Sequence, residues 1–193
     1  MTEALNEIDR YISEAVRVRR AVQVYDELFC SKESVAALID TAGEVFGVMQ
    51  RALHDEILIS FSRLFDSDGY KTKNGTQAYL SQLNIVKRHE SLLTDDLKNL
   101  RERTTCLWKK LDLKKYRDLK VAHNDKAIFF GKSGPVKHGI TSDLAKELLD
   151  VSIRLMISLK REITRSEKVA LPVNPQEAYQ GKGLDLIGKL KGI

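Results

Sequence analysis

The residues best suited to chemistry lie in one short stretch, Tyr116 to Lys126. In it Arg117 is followed by Asp118 and, six positions after the arginine, by His123. Histidine exchanges protons near neutral pH, and an arginine guanidinium binds phosphate in a bidentate manner and stays charged. Together they could cleave RNA, whose 2′-hydroxyl is a built-in nucleophile, by moving a proton and stabilising a phosphorane-like transition state. Asp118 could orient either side chain through a hydrogen bond.

The spacing limits how these side chains can converge. Six residues of an ideal α-helix turn through about 600°, which leaves Arg117 and His123 about 120° apart. They share a site only if the helix ends or distorts before His123, and Asn124 and Asp125 are typical of a helix end. The sequence leaves a structural alternative open, in which Arg117 pairs with Asp118 or another surface acid and His123 caps the helix C-terminus.

The excess positive charge surrounds this stretch. Between Lys87 and Lys126 there are 12 lysine or arginine residues and 7 acidic residues, whereas the rest of the chain holds 20 of each and the net charge is +5. Such a segment favours a polyanionic partner, although solvated helix faces are often rich in lysine. Tyr116 could stack on a base, but tyrosines more often pack. The lysines predicted to bind RNA are Lys114, Lys115, Lys120 and Lys126.

No metal or cofactor site is predicted. Asp66-Ser67-Asp68-Gly69 is similar to the start of a calcium loop, but Tyr70 occupies a ligand position and the glycine comes too early. His54 is followed by Asp55, but neighbouring residues on a helix point in different directions. We therefore interpret His54 as an ordinary packing or surface histidine, and His89 and His138 in the same way.

Apolar residues recurring every three, four or seven positions predict long helices around the stretch. Ser31, Thr76 and Thr94 are candidate N-caps, as is Thr141 or Ser142 for the last helix, and Tyr70 to Gly75 reads as a polar loop. Gly43 and Gly47 indicate a kink or a close crossing in the second helix. The predicted helices cover residues 3–29, 33–65, 77–89, 95–122 and 142–165.

Composition agrees with a helical domain. The 193 residues are 42% apolar and 7% aromatic, with only three prolines, which favours an all-α bundle of four to five main helices. Residues 166–193 contain prolines and glycines and predict an irregular tail with a short amphipathic turn near Leu184 to Leu190. There is no run of eighteen apolar residues and no apolar N-terminal signal, and Cys30 and Cys106 match no disulfide spacing. A cytoplasmic protein with two free thiols is expected.

The stretch resembles the signature of the HEPN superfamily, in which an arginine with a polar neighbour precedes a histidine by about four to six residues. Residues 117–125 (RDLKVAHND) and 58–66 (LISFSRLFD) are similar to abortive-infection U-type, AbiU-like, HEPN domains. The resemblance covers about residues 1–165. Residue by residue, Arg117 matches the arginine, Asp118 the polar residue and His123 the histidine.

The resemblance implies an up-and-down bundle that pairs as a homodimer, with the arginine and histidine of both subunits in a cleft between them. It also implies metal-independent cleavage of RNA. The first hypothesis is therefore an endoribonuclease that acts as a toxin or phage-defence (abortive-infection) component, and an antitoxin protein, as in a toxin–antitoxin pair, is a candidate partner. One arginine and one histidine make a sparse site, which pairing would double. The alternative is a non-catalytic helical module that binds RNA or protein, but retention of Arg117 and His123 favours the enzyme.

Overall fold

Helices make up most of the described chain. The computed structural model describes residues 3–66, 69–73, 75–113, 116, 139–167 and 183–191. A 3₁₀ turn, Glu90–Leu92, lies between the third and fourth helices. The other elements, numbered in chain order, are α1 (Glu3–Phe29), α2 (Lys32–Phe65), β1 (Gly69–Thr72), β2 (Gly75–Ala78), α3 (Gln82–Arg88), α4 (Asp95–Leu111), α5 (Ser142–Glu167) and α6 (Gly183–Leu190).

Helix α1 lies at the centre of the bundle. It packs along both α2 and α5, and α5 packs along α4. The apolar stripe of α5 is buried as its spacing predicts, with Leu148, Leu155 and Leu159 fully excluded from solvent. Each such leucine stabilises the fold by about 1.5–3 kcal/mol. The predicted all-α bundle is therefore confirmed.

A buried polar contact fixes the alignment of three helices. The Tyr11 hydroxyl of α1 lies 2.7 Å from Ser152 Oγ of α5, and Ser152 Oγ donates to Gln82 Oε1 of α3 at 2.9 Å. Burial raises the pKa of the Tyr11 hydroxyl far above its ordinary value, so the phenol stays protonated. The Tyr11 hydroxyl, Ser152 Oγ and Gln82 Oε1 all have hydrogen-bond partners. Their burial therefore does not carry the free-energy cost of an unsatisfied donor or acceptor.

The second helix has the predicted cap and kink. Ser31 Oγ accepts a hydrogen bond from the Ser34 amide at 3.0 Å, which satisfies a free N–H of the first turn. At Ala42 the backbone leaves the helical region, with φ −164° and ψ 65°, directly before Gly43. This break separates a short N-terminal arm of α2 from the part that packs along α1.

The chain between α2 and α3 differs from the prediction. Residues predicted as a polar loop and the start of a helix form an antiparallel hairpin, in which Thr72 pairs with Gly75 and Gly69 with Ala78. Gly75 has φ 122°, a conformation that glycine adopts without strain, and it follows a two-residue connection typical of tight hairpins. Ser81 rather than Thr76 caps α3, and its Oγ accepts from the Asn84 amide at 3.5 Å.

The fourth helix ends earlier than predicted. The continuous helix over 95–122 is wrong, because α4 stops at Leu111 and Asp112 takes the left-handed conformation, with φ 44° and ψ 46°. The side chain of Leu113 then enters the core, with 2% of its surface exposed. Burial of Leu113 gives a physical reason for the change of direction at this point.

The C-terminal segment contains a docked helix. Ile187 of α6 is buried with Leu28 of α1 and Leu38 of α2, and Glu27 Oε2 accepts from the Gly183 amide at 2.7 Å. The sequence predicts only a short amphipathic turn here, within an irregular tail. Residues 168–182 lie outside the described part of the chain, and the domain boundary near residue 165 stays a prediction. No described helix is long and apolar enough to cross a membrane.

Candidate active site

The predicted site side chains lie outside the described residues. This holds for the three candidate catalytic residues, Arg117, Asp118 and His123. What the structure defines is the pair of chain ends that flank the segment 114–138, together with Tyr116, which is bonded to Arg117. The predicted RNA-binding residues that also lie outside the described part are Lys114, Lys115, Lys120 and Lys126.

The two ends of the segment meet at one point of the bundle. The Gly139 amide donates to the Leu111 carbonyl at 2.9 Å, so the chain returns to the C-terminal end of α4, where it left. A side chain at Gly139 would bring its Cβ within 2.2 Å of the Lys110 carbonyl oxygen. Glycine is therefore required there for this close approach. The contact fixes where the motif segment begins and ends.

Tyr116 places the start of the motif beside a row of aromatic rings. Its ring lies 6.1 Å from that of His54, at 81° in an edge-to-face arrangement. The His54 ring is 6.1 Å from Tyr25, and Tyr25 is 5.3 Å from Phe29. We call these four residues the aromatic row. It runs from the C-terminal part of α1, across α2, to the residue before Arg117.

Nearby charges, hydrogen bonds and burial determine the state of the polar groups in the aromatic row. His54 Nδ1 lies 3.4 Å from Asp55 Oδ1, so the prediction that these neighbours point apart is wrong. Burial, and then the negative charge of Asp55, raises the pKa of Tyr116. Burial also raises the pKa of Tyr25, against a smaller opposing effect of a hydrogen bond with Gln50. Both tyrosines are therefore neutral hydrogen-bonding groups at physiological pH.

A cavity of about 230 Å³ opens between α1, α2 and the start of α5. On one wall Cys30 Sγ lies 3.7 Å from Ser142 Oγ. Burial raises the pKa of the Cys30 thiol, so this group is mainly a neutral thiol rather than a nucleophilic thiolate. The polar lining comes from Tyr25, Cys30, His54, Thr141 and Ser142, and the apolar lining from Val22, Ile57, Leu58, Ile140 and Ala145.

Ser142, which lines this cavity, contacts an ion pair between α1 and α5. Lys146 Nζ donates to the Asp26 carboxylate, and Ser142 also bonds to it. Burial alone would raise the pKa of Asp26, but the hydrogen bonds from Lys146 and Ser142 lower it below its ordinary value. Asp26 is therefore ionised, and the pair holds the start of α5 against α1.

The described part of the basic segment forms a groove on the outer face of α4. Two of its cations are neutralised, since Lys98 pairs with Asp95 at 3.0 Å and Arg101 with Glu90 at 3.1 Å. Among the described residues neither Lys109 nor Lys110 forms an ion pair, and both are exposed at the end of α4. The positive charge that α4 offers to a polyanion is therefore concentrated at the end where the motif segment begins. Within the described ranges, no three His, Cys, Asp or Glu side chains are grouped to hold a metal ion.

Comparison with family models decides the relationship that the motif indicates. The HEPN family model described as AbiU2 matches residues 1–181. This chain belongs to the AbiU2 family of HEPN domains. The match includes the segment with Arg117 and His123, and it extends beyond residue 165, where the resemblance in sequence ends. Comparisons with curated proteins and with solved structures found no match. Membership in the AbiU2 family indicates a HEPN-type role in abortive infection.

Sequence reasoning missed the aromatic row and its cavity. Tyr25 and Phe29 are four apart on α1, which predicts a contact between them. Their juxtaposition with His54 and Tyr116 comes from the packing of α1 against α2 and from the path of the chain after Leu113. The spacing of residues in the sequence predicts neither this packing nor this path. Among the described residues, His54 connects this cavity to Tyr116, the residue that precedes Arg117.

Proposed function

We propose that this AbiU2 HEPN domain is a metal-independent endoribonuclease that acts as a toxin or phage-defence component. In this assignment His123 moves the proton, Arg117 stabilises charge on the reacting phosphate, and Asp118 orients one of them. The observation that carries the proposal is the Arg117–Asp118–His123 pattern inside a chain that the AbiU2 family model matches over residues 1–181. Cleavage of RNA in EDTA, with 2′,3′-cyclic phosphate or 3′-phosphate ends on the products, is the test.

The surroundings of the motif support an RNA substrate. Lys109 and Lys110 present exposed charge at the end of α4, and Tyr116 places aromatic surface beside the motif. Proteins that bind single-stranded RNA combine cationic grooves for the phosphates with aromatic rings for the bases. This combination favours RNA over a partner protein as the ligand of this end of the bundle.

We further propose that the domain acts as a homodimer through an exposed face of α2. Val48 is 71% exposed, Val45 is 59% exposed and Met49 is 48% exposed, which is unusual for three apolar side chains on a packed helix. We call these three residues the α2 apolar face.

The charges that flank this face suit a second copy of the same chain. Glu44 and Arg51 are both exposed and lie seven residues apart, on the same side of α2 as Val48. In an antiparallel, two-fold pairing centred near Gly47 and Val48, Glu44 of each copy would face Arg51 of the other. The face is thus complementary to itself in both charge and hydrophobicity. Such a dimer would bring two copies of the sparse Arg117 and His123 site into one assembly.

Charge reversal at Lys114 and Lys115 should weaken binding to all RNA sequences alike. Each phosphate contact with a single strand contributes about −0.7 to the slope of log K against log salt, so the double reversal should flatten that slope by about 1.4. Fluorescence anisotropy with labelled oligonucleotides at several salt concentrations measures both quantities. We expect no change of slope for Arg161→Glu, an exposed site about 28 Å along α5 from the start of that helix. Binding that does not depend on salt would leave the basic segment as a solvated surface.

A further inference from the structure

The cavity beside the aromatic row has the size of a site for one planar ring system. Its volume of about 230 Å³ is below the roughly 300–1,000 Å³ typical of pockets that enclose drug-sized molecules. The ring of Tyr25 lies 6.1 Å from the ring of His54, and both line the cavity. Rings of this kind bind nucleobases by stacking, which contributes about 1–3 kcal/mol per base.

The cavity also offers polar groups that could read the edge of a base. Ser142 and Cys30 lie together on its wall, with Oγ and Sγ 3.7 Å apart, and the Thr141 hydroxyl caps α5 by accepting from the Leu144 amide at 3.2 Å. A hydroxyl both donates and accepts hydrogen bonds, whereas the rest of the lining is mainly apolar. A few polar groups in an apolar frame give a pocket selectivity between ligands of similar shape.

The position of the cavity connects it to the reacting phosphate. His54, which lines the cavity, is in edge-to-face contact with Tyr116, and Tyr116 is bonded to Arg117. A base in the cavity would therefore belong to a nucleotide close to the phosphate that Arg117 binds. Accessible bases of single-stranded RNA can leave the stack and enter such pockets.

We propose that this cavity is a nucleobase subsite, which holds one base of the RNA next to the scissile phosphate and so selects where the strand is cut. The subsite rests on the proposed ribonuclease function, because it assigns to the RNA substrate a cavity next to that reaction. Tyr25 and His54 supply the stacking surface. Thr141, Ser142 and Cys30 supply the groups that distinguish one base from another.

Alkylation of Cys30 tests occupancy of the cavity without relying on cleavage. Both cysteines are free and exposed, but Cys30 lines the cavity whereas Cys106 lies on the outer groove of α4. The variant C106S leaves only Cys30 to react with N-ethylmaleimide, and C30S leaves only Cys106. The probes are 2′-O-methyl hexanucleotides, which lack the nucleophile, carrying adenine, cytosine, uracil or alternating guanine and adenine. A hexanucleotide of the same backbone without bases is the control.

We expect at least one base-bearing probe to protect Cys30. At a probe concentration of about ten times its Kd, the alkylation rate of Cys30 should fall about tenfold, because the reactive free site is then about one eleventh of the protein. The abasic probe, bound to the same extent by anisotropy, should leave that rate within twofold. Cys106 lies in the groove with Lys109 and Lys110, so any slowing of its alkylation should be the same for the base-bearing and the abasic probe, which carry the same phosphates. H54L should remove the protection of Cys30, whereas H89L, which alters a histidine outside the cavity, should retain it.

Two negative outcomes separate the subsite from the proposed function. If base-bearing probes bind but protect Cys30 no better than the abasic probe does, the subsite is wrong and RNA binding stands. If no probe binds at any salt concentration, both the subsite and the proposed ribonuclease function are wrong.

Discussion

Replacing His123 with alanine should reduce RNA cleavage at least about a hundredfold while leaving RNA affinity nearly unchanged. A positioned acid or base contributes about 10²–10⁴-fold to a rate, and alanine removes the proton-transferring group. A neutral imidazole contributes little to phosphate binding, so the two effects should separate. Single-turnover cleavage of an end-labelled RNA gives the rate, and fluorescence anisotropy gives the affinity.

Two further variants sharpen this result. Arg117→Ala should lose cleavage and also part of the affinity, because it removes a phosphate contact together with charge on the transition state. His89→Ala is the matched control, since His89 lies between α3 and the 3₁₀ turn, and it should cleave at the wild-type rate. If His123→Ala retains activity within tenfold of the wild type, the assigned role of His123 is wrong.

Placing a charge on the α2 apolar face should convert the protein to a monomer and lower its activity. Val48→Asp would put a carboxylate at the centre of the proposed interface, where an unpaired buried charge costs several kcal/mol. Since 1.4 kcal/mol is a tenfold change in an equilibrium constant, dimerisation should weaken by at least about a hundredfold. Light scattering coupled to gel filtration, at tens of micromolar protein, measures the change. Leu184→Asp, at a site on α6 that is 62% exposed, is the matched control and should remain dimeric.

A charge exchange tests the proposed orientation of the two copies. Glu44→Arg or Arg51→Glu alone should weaken the dimer, because each places like charges opposite one another. The double variant Glu44→Arg, Arg51→Glu should restore it, because the antiparallel pairing again opposes unlike charges. If the double variant dimerises as weakly as the single variants do, Glu44 of one copy does not face Arg51 of the other and the proposed orientation is wrong. A wild-type protein that is strictly monomeric would exclude the paired site.

The long helices of the bundle follow from local sequence, whereas its breaks depend on distant contacts. The apolar spacing of α5 predicts a helix over 142–165, and the observed helix spans Ser142–Glu167. By contrast, nothing local in the helical pattern around Asp112 indicates the end of α4. That end coincides with burial of Leu113 and with the hydrogen bond from Gly139, a residue 28 positions after Leu111. The hairpin at residues 69–78 is not predicted either, because its strands, GYKT and GTQA, lack the alternation of apolar and polar residues typical of a half-buried strand.

The candidate site shows the same division between local and distant information. The motif is a short local pattern of residues, and the match to the AbiU2 family model confirms the family that it indicates. The cavity combines Tyr25 from α1, His54 from α2 and Ser142 from α5, and each of these is an ordinary residue in its own helix. Only the packing of three helices makes them neighbours. The convergence of Arg117 with His123 stays a prediction, because both residues lie outside the described part of the chain.

The most direct test is incubation of the purified chain, in excess EDTA, with total RNA and with a synthetic 2′-O-methyl oligonucleotide. We expect that the RNA is cut, that its products carry 2′,3′-cyclic phosphate or 3′-phosphate ends, and that the 2′-O-methyl strand stays intact although it binds. Cleavage that EDTA abolishes, or that proceeds equally on the 2′-O-methyl strand, would contradict the mechanism. Binding of RNA without any cleavage would leave a non-catalytic RNA-binding module in place of the enzyme.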